Sequence, residues 1–379
     1  MSRSFFQPRY GRTLLLMLFL CVAGFASLAQ IPLTTLPSGG NKKAFVSEWI
    51  GLTEVSVSYS RPGLKGRAGQ VWGQLVHTGF QHPGFGSSQA APWRAGANEN
   101  TVISFSSDVL INGQSLPKGS YGFFIAYYPD SSILIFSRNY QSWGHYYYNP
   151  SEDALRLKIV PEKMQERVEW LRFEFSNQRE ETATLALEWE QLRFPFEIKV
   201  DYVATQLESF RNELRTERGF IWQSWEQAAA WCAQRNVNLE QALQWADSAS
   251  SPTFGGDKMF STFLTKADIL ERLGRGDEAA VVIKSALPKA NMQEVHMYGR
   301  RLLQQKKAVE ALEIFLYNHK THPNEFTTLA GLTRGYAANN DAKKALKYAK
   351  LALPLAPNDL NKQSVQAMIE KLEKGNVNL

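Results

Sequence analysis

Two cysteines, Cys21 and Cys232, are all that 379 residues contain. Cys21 falls in a segment predicted to be removed, so one thiol remains and an intramolecular disulfide is excluded. Cys232, in Trp231-Cys232-Ala233 within a helical pattern, reads as core. Histidine is also sparse, at six residues. No His-x-His, His-Glu-x-x-His or paired-Cys spacing occurs, so no metal or cofactor site is expected. No Gly-x-Ser-x-Gly elbow is present, since Gly119-Ser120-Tyr121-Gly122 is one residue short and reads as a turn. There is no Walker loop and no long Lys/Arg run. Nucleic acid is therefore not an expected partner.

Long apolar runs are missing, with one exception. Thr13–Phe25 is uncharged and apolar, preceded by Arg3, Arg9 and Arg12 and followed by Ser27-Leu28-Ala29. It is short for a membrane span and has the layout of a secretory leader cut before Gln30. Residues 1–29 are thus expected to be a signal peptide, and the mature protein periplasmic or extracellular, with no stable membrane span. Removing the leader's three arginines from 42 basic residues leaves 39 against 36 acidic ones, a net charge of +3.

Residues 30–43, rich in Pro, Gly, Ser and Thr, read as a flexible linker. From 44 to 200 the pattern is β. Strands are expected at Glu54–Tyr59, Thr101–Ser107, Val109–Ile111, Tyr121–Tyr127, Ser132–Ser137, Leu155–Val160, Val168–Ser176, Thr182–Glu190 and Phe194–Val200. Leu171, Phe173 and Phe175 share one face, as do Ala183, Leu185, Leu187 and Trp189. Such alternation, with no interleaved helix, predicts antiparallel sheets with one wet side in a β-sandwich of jelly-roll-like type. The aperiodic stretch Gly79–Pro92 reads as a loop, either a lid or a tolerated insertion.

From 201 to 379 the pattern is helical. Taking repeat starts at Met292 and Phe326 gives a period of 34, with Ala311 and Ala345 at one repeat position and Pro323 and Pro357 at another. That is tetratricopeptide spacing, in which small residues let paired helices approach. Looser units are expected over 260–290 and 223–250, and a frayed end over 370–379.

Two dense polar and aromatic stretches at strand ends stand out, Tyr59–Arg67 and Trp93–Thr101. Their candidate ligand-binding residues are Arg61, Lys65, Arg67, Trp93, Arg94, Asn98 and Glu99, with Trp143 from an aromatic loop. Arg94 suits a carboxylate or phosphate. Glu99 can pair with Arg61, Arg67 or Arg94, or act as an acid or base. Trp93 and Trp143 can stack on a ring or sugar face. The Gly-rich run Gly63–Gly69 can cradle an anion with its amides. His77 and His82 flank the start of the 79–92 loop and can meet. The alternative is an Arg–Glu–Trp cluster that only pins loops.

Several pieces resemble a family of exported bacterial proteins, domain of unknown function 2911. They are Val57–Arg67, Trp93–Glu99, Ile111-Asn112-Gly113, Gly119–Gly122, Trp143-Gly144 and Thr184–Trp189, in matching order; Asn236–Asp247 resembles a helical extension that many members carry. The stretch before Trp93 is longer here. The resemblance implies export and this domain plan, and no catalytic residue. Three functions stay open. In the first, the β domain binds a small polar molecule or glycan while the helices dock a protein. In the second, an envelope carbohydrate hydrolase or lyase uses Glu99, although only one carboxylate is evident where most glycosidases need two. The third is a structural scaffold.

Overall fold

A computed structural model describes residues 40–87 and 89–378. The predicted leader lies outside the described residues. The contacts divide the chain at Gln206 into two compact units.

The first unit is built from β1 (Lys42–Ile50), β2 (Thr53–Arg61), β3 (Thr101–Phe105), β4 (Val109–Ile111), β5 (Gln114–Leu116), β6 (Gly119–Ala126), β7 (Ser132–Ser137), β8 (Asp153–Ile159), β9 (Glu162–Ser176) and β10 (Thr182–Val200). They form two antiparallel sheets, ordered β1-β2-β3-β6-β7-β8 and β5-β4-β10-β9. The sheets face each other across one apolar core that takes alternate residues from each strand, among them Val55, Val57, Ile103, Phe123, Phe136, Leu171, Phe173, Leu185 and Phe196. Phe123 packs against Phe196 with ring centres 5.7 Å apart, and Tyr59 meets Phe173 edge-on at 4.9 Å. Each large apolar side chain so buried contributes about 2–3 kcal/mol.

Three local differences from the sequence pattern have physical reasons. The first strand begins at Lys42, inside the expected linker, because its alternation is masked by exposed Phe45 and Trp49 on its outer face. The expected strands Thr182–Glu190 and Phe194–Val200 are one strand, β10, broken in register on either side of Glu190, where φ is +54°. Finally, β10 is buried on both faces from Leu185 to Glu190, so it lacks the expected wet side there. Glu188 is tolerated at that depth because Arg172 (2.8 Å) and Arg193 (3.1 Å) both bind it.

The 79–92 stretch is not a free flap. Gln81 and Ala91 pair with each other across it, and the Ser87 amide donates to the Tyr146 carbonyl at 2.8 Å. Phe80 and Ala91 pack with Phe124, Ile135 and Tyr148 in a second, small apolar cluster. The Tyr148 hydroxyl donates to Asp153 at 2.7 Å, and Arg156 clamps both.

The second unit is helical. Its helices are α1 (Tyr202–Glu213, which spans the division), α2 (Trp222–Arg235), α3 (Leu239–Ala249), α4 (Phe260–Arg272), α5 (Gly276–Ala286), α6 (Met292–Gln304), α7 (Ala308–Thr321), α8 (Phe326–Ala338), α9 (Ala342–Ala352) and α10 (Asp359–Glu373). From α2 to α9 they form four hairpins, α2/α3, α4/α5, α6/α7 and α8/α9, and the first helices of neighbouring hairpins also touch. The starts of α6 and α8 are 34 residues apart, as are those of α7 and α9. Asn291 and Glu294 close the start of α6 with a reciprocal capping box. Ala311 and Ala345 are fully buried at the same repeat position. Phe315 sits among three glycines: a methyl added at Gly299, Gly331 or Gly335 would lie 2.5, 2.6 or 2.9 Å from its ring. The expected frayed end is helical to Glu373, because Met368, Ile369 and Leu372 are buried. Cys232 is buried, and burial pushes its thiol up to about 11, so it is inert.

Candidate functional site

The two stretches singled out in the sequence come together at one end of the sandwich, and their polar groups are largely occupied by the fold itself. Arg61, at the end of β2, donates from Nε to the Leu171 carbonyl of β9 at 2.8 Å. Arg67 donates to the carbonyls of Leu64 (3.0 Å) and Gly63 (2.9 Å), closing its own loop. The Lys65 side chain is exposed and reaches the Gly40 carbonyl at 3.3 Å. The amides of the Gly-rich loop do bind anions, but the anions are the protein's own: the Lys65 amide donates to Glu169 at 3.0 Å, and the Gly69 amide to Glu190.

Arg94 donates to the Asn98 carbonyl at 2.8 Å and lies over the Tyr146 ring, 5.3 Å from its centre. Asn98, left-handed at φ +60°, accepts from Asn41 at 3.1 Å. Glu99 does not pair with an arginine. Its carboxylate takes the Lys43 ammonium of β1 and the Ser60 hydroxyl. Partial burial opposes its charge, but the Lys43 bond and charge, its own backbone and Ser60 outweigh that and hold its carboxyl below the ordinary glutamate range. At neutral pH it is ionised and has no proton to donate.

Trp93 is 7% exposed. It stacks on Trp189 at 6.0 Å, meets Trp72 edge-on at 5.7 Å, and donates from Nε1 to the Gly96 carbonyl. Its face is closed to a ligand. Trp143 is 59% exposed, in the loop after β7.

Sequence reasoning missed one juxtaposition. His77 meets His145, with ring centres 6.3 Å apart, rather than His82. Both Nδ1 atoms are buried with no partner. Burial, then the charges of Arg94 and His77, push His145 down to about 4, and burial lowers His77 as well. Only the fold reveals this pair, since 68 residues separate its members. Among the described residues no group of three or more His, Cys, Asp or Glu is arranged to hold a metal. A β-unit cavity of about 490 Å3 is lined by Asp108, Leu110, Glu181 and Lys199, and by none of the predicted site residues.

Residues 41–198 match the family model described as protein of unknown function, DUF2911. The β unit is thus the DUF2911-like part of the chain. No curated protein sequence matches the chain. Among solved structures, the chain is similar to YrrB, described as a TPR protein with an unusual peptide-binding site, at 15% identity over 45% of this chain and 94% of that one, with a TM-score of 0.28. MamA from Desulfovibrio magneticus RS-1 is similar at 14% identity over 42% of this chain and 95% of that one, with a TM-score of 0.27. Cut9 with Hcn1, from the APC/C, is similar at 15% identity over 45% and 33%, with a TM-score of 0.29. Beside the DUF2911-like domain, the helical unit has cavities of its own. Three, of about 310, 540 and 550 Å3, all include Arg300, and their walls come mainly from α4, α6, α8 and α10, with Lys306 and Ala308 around the start of α7 and residues 377–378. Among the described residues no helix is long and apolar enough to cross a membrane.

Proposed function

We propose that this is an exported, non-enzymatic docking protein whose helical unit holds an extended segment of a partner protein. The observation that carries this reading is the run of three cavities sharing Arg300 along the first helices of successive hairpins. Stacked hairpins present continuous surfaces suited to extended ligands. The polar cluster of the DUF2911-like domain is read as structural, because its arginines cap carbonyls and its glutamate neutralises Lys43. A hydrolase using Glu99 is disfavoured by a carboxyl held ionised and by the burial of Trp93.

The test is site-specific photo-crosslinking in the producing cell. A photoreactive residue at Met297, in the cavity wall, is expected to trap a discrete envelope protein; the same residue at Val309, exposed on α7, is not. Equal capture from both, or none from Met297, defeats the reading. Export is tested on the same material: the mature N-terminus, read by mass spectrometry, is expected at Gln30.

A second reading rests on the orphaned nitrogens of His77 and His145 beside Arg94, which favour a small polar ligand over a glycan at that corner. A thermal-shift screen of small acids should then give a stabilisation that Arg94→Ala removes.

A further inference from the structure

Several charges of the helical unit are paired within it. Arg272 and Arg301 share Asp268, Arg275 binds Glu278, Lys307 binds Glu271, Lys266 binds Asp247, and Lys344 and Lys350 bind Asp341 and Glu373. Arg300 and Arg334 are different. Among the described residues neither makes an ion pair or a hydrogen bond, although Arg301, next in sequence to Arg300, is paired. They occupy the same position in α6 and α8, one 34-residue repeat apart, and line the same two cavities.

Among the described residues no acidic side chain lines either cavity. The smaller one, about 310 Å3, adds the neutral hydrogen-bonding groups of Gln293, Thr327, Asn361 and Ser364, and His296. His296 is 8% exposed and its Nδ1 has no partner. Arg334 is partly buried and Arg300 exposed; the Arg334 guanidinium is pushed down by burial and then by the charge of Arg300. A partly desolvated cation beside a second cation, with no anion among the described residues, is an unfavourable arrangement for the empty protein. It becomes favourable when an anion arrives, because a guanidinium fork binds a carboxylate with two parallel bonds. Arg300 also borders the neighbouring cavity of about 540 Å3, whose wall includes Leu264, Met297 and Tyr298. A ligand anchored at the arginines therefore continues along a partly apolar wall. Free phosphate cannot use that wall; a peptide can.

We propose that Arg300 and Arg334 form the anchor for a carboxylate side chain of an acidic partner segment, with the adjoining residues of that segment lying against Met297 and Tyr298. This rests on the docking reading above and adds the chemistry of what is docked.

The test uses the chain from Gln30 onward and two pools of short, fluorescent, C-terminally amidated peptides. The pools are randomised except at two central positions, which are Asp in one pool and Asn in the other. The acidic pool is expected to bind at least about tenfold more tightly, and Arg300→Gln or Arg334→Gln to abolish that preference. Both variants should melt no lower than the parent, which separates lost binding from lost folding. Equal binding of the two pools, blocked by Met297→Glu, overturns the carboxylate anchor and leaves the docking groove intact. If neither pool binds, anchor and groove both fall. If inorganic phosphate alone raises the melting temperature as far as the acidic pool does, the site takes free anions and the peptide proposal is overturned.

Discussion

The two units treat charge in opposite ways. In the DUF2911-like domain, the conspicuous ionic residues close the fold: Glu169 and Glu190 fill the Gly-rich loop, Arg61, Arg67 and Arg94 cap carbonyls, and Glu188 sits between two arginines. In the helical unit two plain arginines, in no recognisable motif, line cavities to which no acidic side chain among the described residues contributes. Density of polar residues in a sequence therefore marks demand for loop closure as readily as it marks a site. What marks a site is a desolvated group that the fold leaves unsatisfied.

The contrast can be broken by substitution. The largest effects should be in groups the fold fully uses. Phe315→Ala empties the space among three glycines and is expected to cost about 3–5 kcal/mol in urea unfolding. Glu188→Ala takes a carboxylate that is only 6% exposed from Arg172 and Arg193, which keep only the outer carboxylates of Glu174 and Glu162, and should cost about 3 kcal/mol. If Glu188→Ala were harmless, the claim that the β unit relies on its internal ion pairs would fail.

Next come two histidines, His145 in the β unit and His296 in the helical unit, both held down to about 4 mainly by burial. Their folded pKa lies below the unfolded value of about 6.5, so the unfolded chain binds more protons between these limits. Stability therefore falls as pH drops from about 6.5 towards 4, by up to about 3 kcal/mol for His296. NMR titration of the ring protons checks the midpoints. A normal midpoint for His296 would mean that the groove floor is wetter than described.

Glu99→Gln should cost less, under about 1 kcal/mol, because the Lys43 pair is partly solvated. Its folded pKa is depressed, so the contribution is present above the ordinary glutamate value and disappears as pH falls through the lowered one. Melting curves of parent and variant are expected to converge there. The smallest effect is the most telling: Arg334→Gln should leave the melting temperature unchanged or raise it, since it removes a desolvated like-charge neighbour of Arg300. A fall of several degrees would show that an anion inside the protein already satisfies it.

Much of the fold was legible in the chain. Period-two alternation located most strands, and the buried faces of β9 and β10 are the ones read from Leu171–Phe175 and Ala183–Trp189. The 34-residue spacing located the last two hairpins. The bulge at Glu190 was not legible, because bending one strand into two directions leaves the same apolar pattern as two strands. Nor were partners distant in sequence. Lys43 was assigned to a linker, so Glu99 was offered three arginines and takes none. Trp93 looked like a stacking platform because Trp72 and Trp189, which enclose it, lie 21 residues before it and 96 after it. Arg300 and Arg334 went unnoticed because what distinguishes them is a missing partner, and a sequence does not display one.

Phe315 and its three glycines bear on more than stability. Gly299 lies on α6 and Gly331 and Gly335 on α8, so the ring of α7 is the spacer between successive hairpins, and His296 rests 5.6 Å from it. The thickness of one phenyl ring thus acts as the gauge of the gap between Arg300 and Arg334. A methyl group at any of the three glycines would drive in like a wedge and prise the hairpins apart. The width of the opening beside the two arginines is governed by a side chain that is itself fully buried.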